Sequence, residues 1–242
     1  MVLRHLQLIA VNIDGVLLND TFSPVIHRFV VRRGGVYTAE LERAVLSQPQ
    51  LRAAAALGGP GTPEEVLRDY FRERAQYLTE CPVRVLDGAG ALLERLRATG
   101  AALVCYGGLG RSHFDRHLPH LSKYFDGPRY VCTDSFRPGV REIAEDVFGV
   151  RCDQALFIDD VARVAETAQA LGAAFIGHPS AYEHSFQRQL MREAGVRHIV
   201  GSLDDIDERL LERLDAEAAA GRLWPWPATA PAGRRELVTA HA

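Results

Sequence analysis

Leu8-Ile9-Ala10-Val11-Asn12-Ile13-Asp14-Gly15-Val16-Leu17 is the stretch that decides how this chain folds. Its opening residues are apolar without alternation, the pattern of a strand buried on both faces of a parallel sheet. The run then meets Asn12, a second polar residue at position 14, and Gly15. Extended backbone sends positions 12 and 14 to the same side. Two polar side chains therefore project from the strand's carboxyl end, where ligands and catalytic groups collect in open α/β sheets.

Outward from this strand, apolar runs recur at residues 6–11, 101–106, 130–132, 155–158, 173–176 and 198–200. Helical periodicity lies between them over 88–99, 112–125, 140–148, 161–171 and 183–194. Strands alternating with helices of this length predict an α/β fold, a doubly wound parallel sheet. Gly100, Gly149, Gly172 and Gly195 read as the stops of four of those helices.

One segment breaks the alternation. Residues 18–85 show no strand series but carry helical periodicity at 24–32, 38–47 and 63–79. Thr62-Pro63-Glu64-Glu65 has the form of a helix start: a Thr cap, Pro in the first turn, then acids. The expected organisation is an α/β core from 1–17 and 86–210, a helical cap over 18–85, and a tail from 211 to 242. That tail begins inside an acidic amphipathic helix spanning 203–220 and continues through Trp224-Pro225-Trp226-Pro227. Two Trp residues among prolines can dock on the body of the protein or on a protein partner.

Composition narrows the function classes. The 242 residues are 47% hydrophobic and 24% charged, with a net charge of -3, as expected of an ordinary globular chain. No Lys/Arg block marks a nucleic-acid footprint. No apolar run approaches the ~18 residues of a membrane span, and the N-terminus lacks a secretion signal. The expectation is a cytoplasmic protein that binds neither nucleic acid nor membrane. Cys81, Cys105, Cys132 and Cys152 form no C-x-x-C pair, and Cys105 and Cys152 read as small buried hydrophobes.

Four positions carry the candidate chemistry. Asn12 and Asp14 end the first strand; Tyr106-Gly107-Gly108 ends the second. Phe136-Arg137-Pro138-Gly139 opens a later helix, and Ile158-Asp159-Asp160 ends the fourth strand. This order, over roughly residues 6–210, resembles the haloacid dehalogenase (HAD) superfamily, whose first motif reads hhhh-D-x-D-G-[TV]-L. The resemblance implies a Rossmannoid core with a helical cap and phosphatase-type chemistry. It implies a nucleophile at position 12, acid/base work by Asp14, phosphoryl binding at Tyr106, Gly107 and Gly108, and charge neutralisation by Arg137. It also implies Mg²⁺ held by residue 12, the Asp14 carbonyl and Asp160, with Asp159 acting through water.

Three of these positions depart from the family pattern together. Asn12 stands where the family has its nucleophilic Asp, and a carboxamide is a poor nucleophile, though its oxygen still suits a hard cation. Tyr106 stands for Ser or Thr. Arg137 stands for Lys, trading a point charge for a planar fork that suits a phosphate or carboxylate. The lone Lys, Lys123, lies upstream in a different helix end. The leading expectation is a HAD-like protein without normal phosphatase turnover that binds a small anionic or phosphorylated ligand, with Mg²⁺ binding weakened by Asn12. The alternatives are an active Mg²⁺-dependent phosphohydrolase, with Asn12 an engineered trap or part of an atypical mechanism, and a protein-interaction or maturation factor acting through its surface. His113, His117 and His120 read as solvent-facing, because Pro119 interrupts their helix and no fourth ligand accompanies them.

Overall fold

A computed structural model describes residues 2–224. The opening run forms β1 (Leu8–Asn12), buried along its whole length. It pairs in parallel with β2 (Ala102–Gly107) on one side and β4 (Ala155–Asp159) on the other. Beyond them lie β3 (Tyr130–Cys132), and β5 (Ala174–Gly177), giving a five-stranded parallel sheet in the order β3-β2-β1-β4-β5. Alternation divides β1 between two cores. Ile9 and Val11 pack into the layer that holds Leu92, Leu96 and Leu214, while Leu8 and Ala10 pack with Phe157, Val164 and Met191 on the opposite face.

The sixth expected strand does not form. Residues 198–200 contribute one isolated parallel bridge, Ile199 to Gly177, secured by the Gly177–His198 and Val200–Gly177 backbone bonds. Three residues at a sheet edge, flanked by a turn on each side, are too short for a ladder.

Helices cover both faces: α5 (Ala89–Arg97), α6 (Arg111–His117), α7 (Ala162–Leu171), α8 (Gln187–Glu193) and α9 (Glu208–Ala219). The helix expected over 112–125 stops at His117 ahead of Pro119, which cannot continue it, and resumes as a 3₁₀ turn at Ser122–Tyr124. Residues 140–148 wind more loosely than expected, forming a π-helical segment at Glu142–Val147.

Between β1 and α5 the chain makes four helices: α1 (Ser23–Arg32), α2 (Ala39–Val45), α3 (Gln50–Leu57) and α4 (Pro63–Glu80). Thr62 caps α4 in a reciprocal box with Glu65. The four share their own core of Val25, Ile26, Phe29, Val45, Val66 and Tyr70. The two connections to the sheet run antiparallel, joined by the Leu18–Val85 bridge and the Asn19–Arg84 bonds. This helical lobe sits on the carboxyl edge of the sheet. Glu42 of α2, fully buried, accepts from the Phe186 amide at 2.9 Å, the Gln187 amide nitrogen at 2.7 Å and the Ser185 hydroxyl at 3.0 Å. Gln50 reaches the Gly108 carbonyl at 3.0 Å.

Trp224 docks on the body of the protein, its indole N–H donating to the Ala173 carbonyl at 2.9 Å. The remaining residues of the Trp/Pro tail lie outside the described residues.

Candidate anion site at the sheet edge

The strand order reverses direction around β1: the chain moves out to β2 and β3, then returns to β4 on the other side. At such a switch point the loops leaving neighbouring strands splay apart and open a crevice. Asn12 closes β1 at that point, and Asp159-Asp160 closes β4 beside it.

Asn12 is buried, and both N–H bonds of its amide are spent. They donate to the Asp14 carbonyl at 2.6 Å and to Oδ1 of Asp160 at 2.8 Å. Two acceptors on one nitrogen fix which end of the amide faces them. Asp160 approaches because residue 15 is Gly. A side chain there would collide with the Asp160 carboxylate, and its backbone sits at φ 85°.

Asp159 turns away from the crevice. It is fully buried, accepting from the Tyr106 hydroxyl at 2.5 Å and from the Val161 amide at 2.7 Å, so it anchors the start of α7 to β2. Tyr106 lies buried edge-on to Phe157 and does not line the cavity. This differs from the expected phosphoryl contact: the phenol is too long to end at the strand's tip, and its hydroxyl finds a carboxylate in the core. Burial pushes the Asp159 carboxyl up to about 6. Burial first, then the neighbouring Asp159 charge, holds Asp160 well above the ordinary carboxylate range.

His113 corrects the sequence reading. Its Nε2 lies 2.9 Å from Oδ1 of Asp14, and both side chains are nearly nine-tenths buried. His117 packs edge-on against it at 4.8 Å, while His120 is exposed as expected. The signal was position: residue 113 is in the first turn of the helix that follows the Gly-rich loop, at the same sheet edge as Asp14.

Arg137 reaches the cavity from the segment after β3. Its guanidinium lies across Gly108, where any Cβ would collide with Nη1. Its buried Nε meets no partner among the described residues. Gly107 packs under Ile13 and Tyr130, while Gly108 lines the cavity. That cavity measures about 100 Å³. Asn12, Asp14, Gly108, Arg137 and Asp160 make its floor, and Phe22, Ile26, Leu57, Leu67 and Phe71 of the cap make an apolar roof.

Solved structures with this architecture share little sequence with the chain. A predicted phosphatase from Clostridium acetobutylicum is 20% identical, with a TM-score of 0.62 over 86% of this chain and 100% of that one. The chain has the haloacid dehalogenase-like fold. A HAD-family hydrolase from Deinococcus radiodurans, with bound phosphate and sodium, is 19% identical at a TM-score of 0.55, covering 89% and 97% of the two chains. A family IA, variant 3 HAD hydrolase from Entamoeba histolytica is 16% identical at 0.61, covering 87% and 100%. No protein-family model and no curated protein matches the sequence.

The HAD fold implies Mg²⁺, and the residues here do not form a cage for it. The Asp14 carbonyl and Asp160 Oδ1 are occupied by the amide N–H groups of Asn12, which repel a cation. Among the described residues no three His, Cys, Asp or Glu side chains converge as a metal site. No described helix is long and apolar enough to cross a membrane.

Proposed function

We propose that this HAD-fold protein binds a small anionic or phosphorylated ligand between the sheet edge and the cap without covalent phosphoryl transfer. The observation that carries the reading is the pair of bonds from the Asn12 amide to Asp14 and Asp160. A neutral amide has no anionic oxygen to attack phosphorus. Its nitrogen also fills the space between the oxygens that would otherwise face a cation. Asp14, committed to His113, has no nucleophile beside it to serve as acid or base.

Anion capture falls to Arg137. A guanidinium with an unpaired, buried Nε, lying on a glycine whose backbone it can approach closely, is arranged to receive a planar or tetrahedral anion bidentately. The neighbouring carboxylates are engaged elsewhere: Asp14 lies against His113, and Asp160 accepts from the Asn12 amide.

Titration of the full chain with inorganic phosphate tests this reading. Binding that is lost in Arg137→Gln is expected; binding of equal strength in that variant contradicts it.

A further inference from the structure

His27 of α1 and His184, on the segment between β5 and α8, stack face to face across the seam between cap and core. Their ring centroids are 4.3 Å apart and their planes lie 22° from parallel. Such a stack is compatible with one charged ring at most, because two imidazolium groups at that distance repel.

The seam is built from both sides. The Tyr182 hydroxyl lies 2.8 Å from Nδ1 of His27, and its ring packs edge-on to both imidazoles. Tyr37, on the connection from α1 to α2, meets His27 edge-on. Immediately after His184, residues 185–187 donate their hydrogen bonds to Glu42 of α2. Residues 182–187 therefore strap the core to α1 and α2. His27 sits one position from Ile26, which belongs to the apolar roof of the cavity. Whatever holds α1 to the strap also steadies that roof.

Few charges face the pair. Glu183 Oε1 lies 3.5 Å from Nε2 of His184 and favours a first proton there, but it is mostly exposed and screened by solvent. Arg28 of α1 turns away to Glu73. The phenols of Tyr37, Tyr182 and, on α4, Tyr77 are held in their neutral forms, chiefly by burial, with Glu42 adding to the effect at Tyr37 and Asp20 at all three. Burial first, then the His184 charge, lowers His27 below its ordinary 6.5, against the opposing pull of Glu183.

We propose that the His27–His184 stack is a pH-sensitive latch. With at least one ring neutral it holds α1 against the strap; when both rings carry a proton it releases this flank of the cap and loosens the roof over the cavity. The closed seam binds fewer protons than the open one, so its contribution is complete above about pH 6.5 and is lost as pH falls below it. Half of the His184 side chain is exposed, which makes the release local rather than global.

Hydrogen exchange of the full chain at about pH 5 and about pH 7.5, expressed as protection relative to an unstructured amide, reads the seam separately from the carboxylates at the sheet edge. Protection of α1 and of residues 182–187 is expected to fall several-fold at the lower pH, while β1 and β4 keep theirs. His184→Phe leaves a ring against His27 but only one titrating group, so the fall should disappear. Persistence of the fall in that variant would assign it to another group, such as Glu42, and overturn the latch. Equal protection of the seam at both pH values in the parent chain would overturn it too. An NMR titration of the imidazoles in the unmodified chain keeps the test intact if the variant fails to fold. His27 and His184 are expected to titrate in two coupled steps, the second well below 6.5, and two independent steps at 6.5 would contradict the latch.

Discussion

The amide nitrogen of Asn12 stands 2.8 Å from the Asp160 carboxylate, joining residues 148 apart in sequence at the point where the sheet changes direction. The same nitrogen holds the Asp14 carbonyl. One neutral group thereby ties together β1, its following loop and the end of β4.

Asn12→Asp should break that tie. It replaces a donor with a carboxylate facing Asp160 and the Asp14 carbonyl, all acceptors. The variant is expected to lose about 2–3 kcal/mol of stability without divalent cations. Millimolar Mg²⁺ should restore much of the loss, whereas the parent chain's melting temperature should not respond. Thermal unfolding with and without Mg²⁺ checks both halves.

Gly15→Ala should be nearly as damaging through sterics alone. The new Cβ runs into the Asp160 carboxylate, and φ 85° is strained for any residue with a Cβ. A cost of about 2 kcal/mol or more is expected in urea unfolding.

Glu42 fastens the cap. Removing its carboxylate in Glu42→Ala strands the Phe186 amide and the Gln187 side chain in the interior, a loss of about 3 kcal/mol. Hydrogen exchange should rise in α2 and around residues 185–187, while the central strands keep their protection. Uniform exchange across the sheet would show that Glu42 serves general stability instead.

The Asp159–Asp160 pair sets a pH dependence. Their folded pKa values lie above the unfolded value of 3.8, Asp159 at about 6 and Asp160 also well raised, so the folded state binds more protons. This contribution favours folding at low pH and is lost as pH rises from about 4 through 6 and beyond. Asp160→Asn, which keeps an acceptor for Asn12 but removes one charge, should flatten that decline. Chemical denaturation of both proteins between pH 4 and 7 measures the difference.

The parallel sheet was legible because strands buried on both faces read as unbroken apolar runs, as in Leu8–Asn12. The cap start at Thr62 was legible from its cap chemistry. Other features escaped. Residues 198–200 have strand composition, but too little length to form more than a bridge. Helix α3 is poorly legible although Ala53-Ala54-Ala55-Ala56 are strong helix formers, because its apolar face is short and Pro49 precedes it. The candidate site was readable as a set of positions, not as contacts. Nothing local to Tyr106 indicates that its hydroxyl ends on Asp159, and the position of His113 after the Gly-rich loop gives its sheet edge but not its contact with Asp14, 99 residues away in the chain. Such pairings are made by the sheet register and the loops above it.

The most direct test of the central claim is a count of phosphate released per protein molecule by the unmodified chain, incubated with an excess of each of a panel of phosphate monoesters and Mg²⁺. Less than one phosphate per molecule is expected, with no phosphorylated side chain in the intact-mass spectrum. Many turnovers that vanish in Asp14→Ala, or a covalent phosphoryl adduct on the chain, would contradict it.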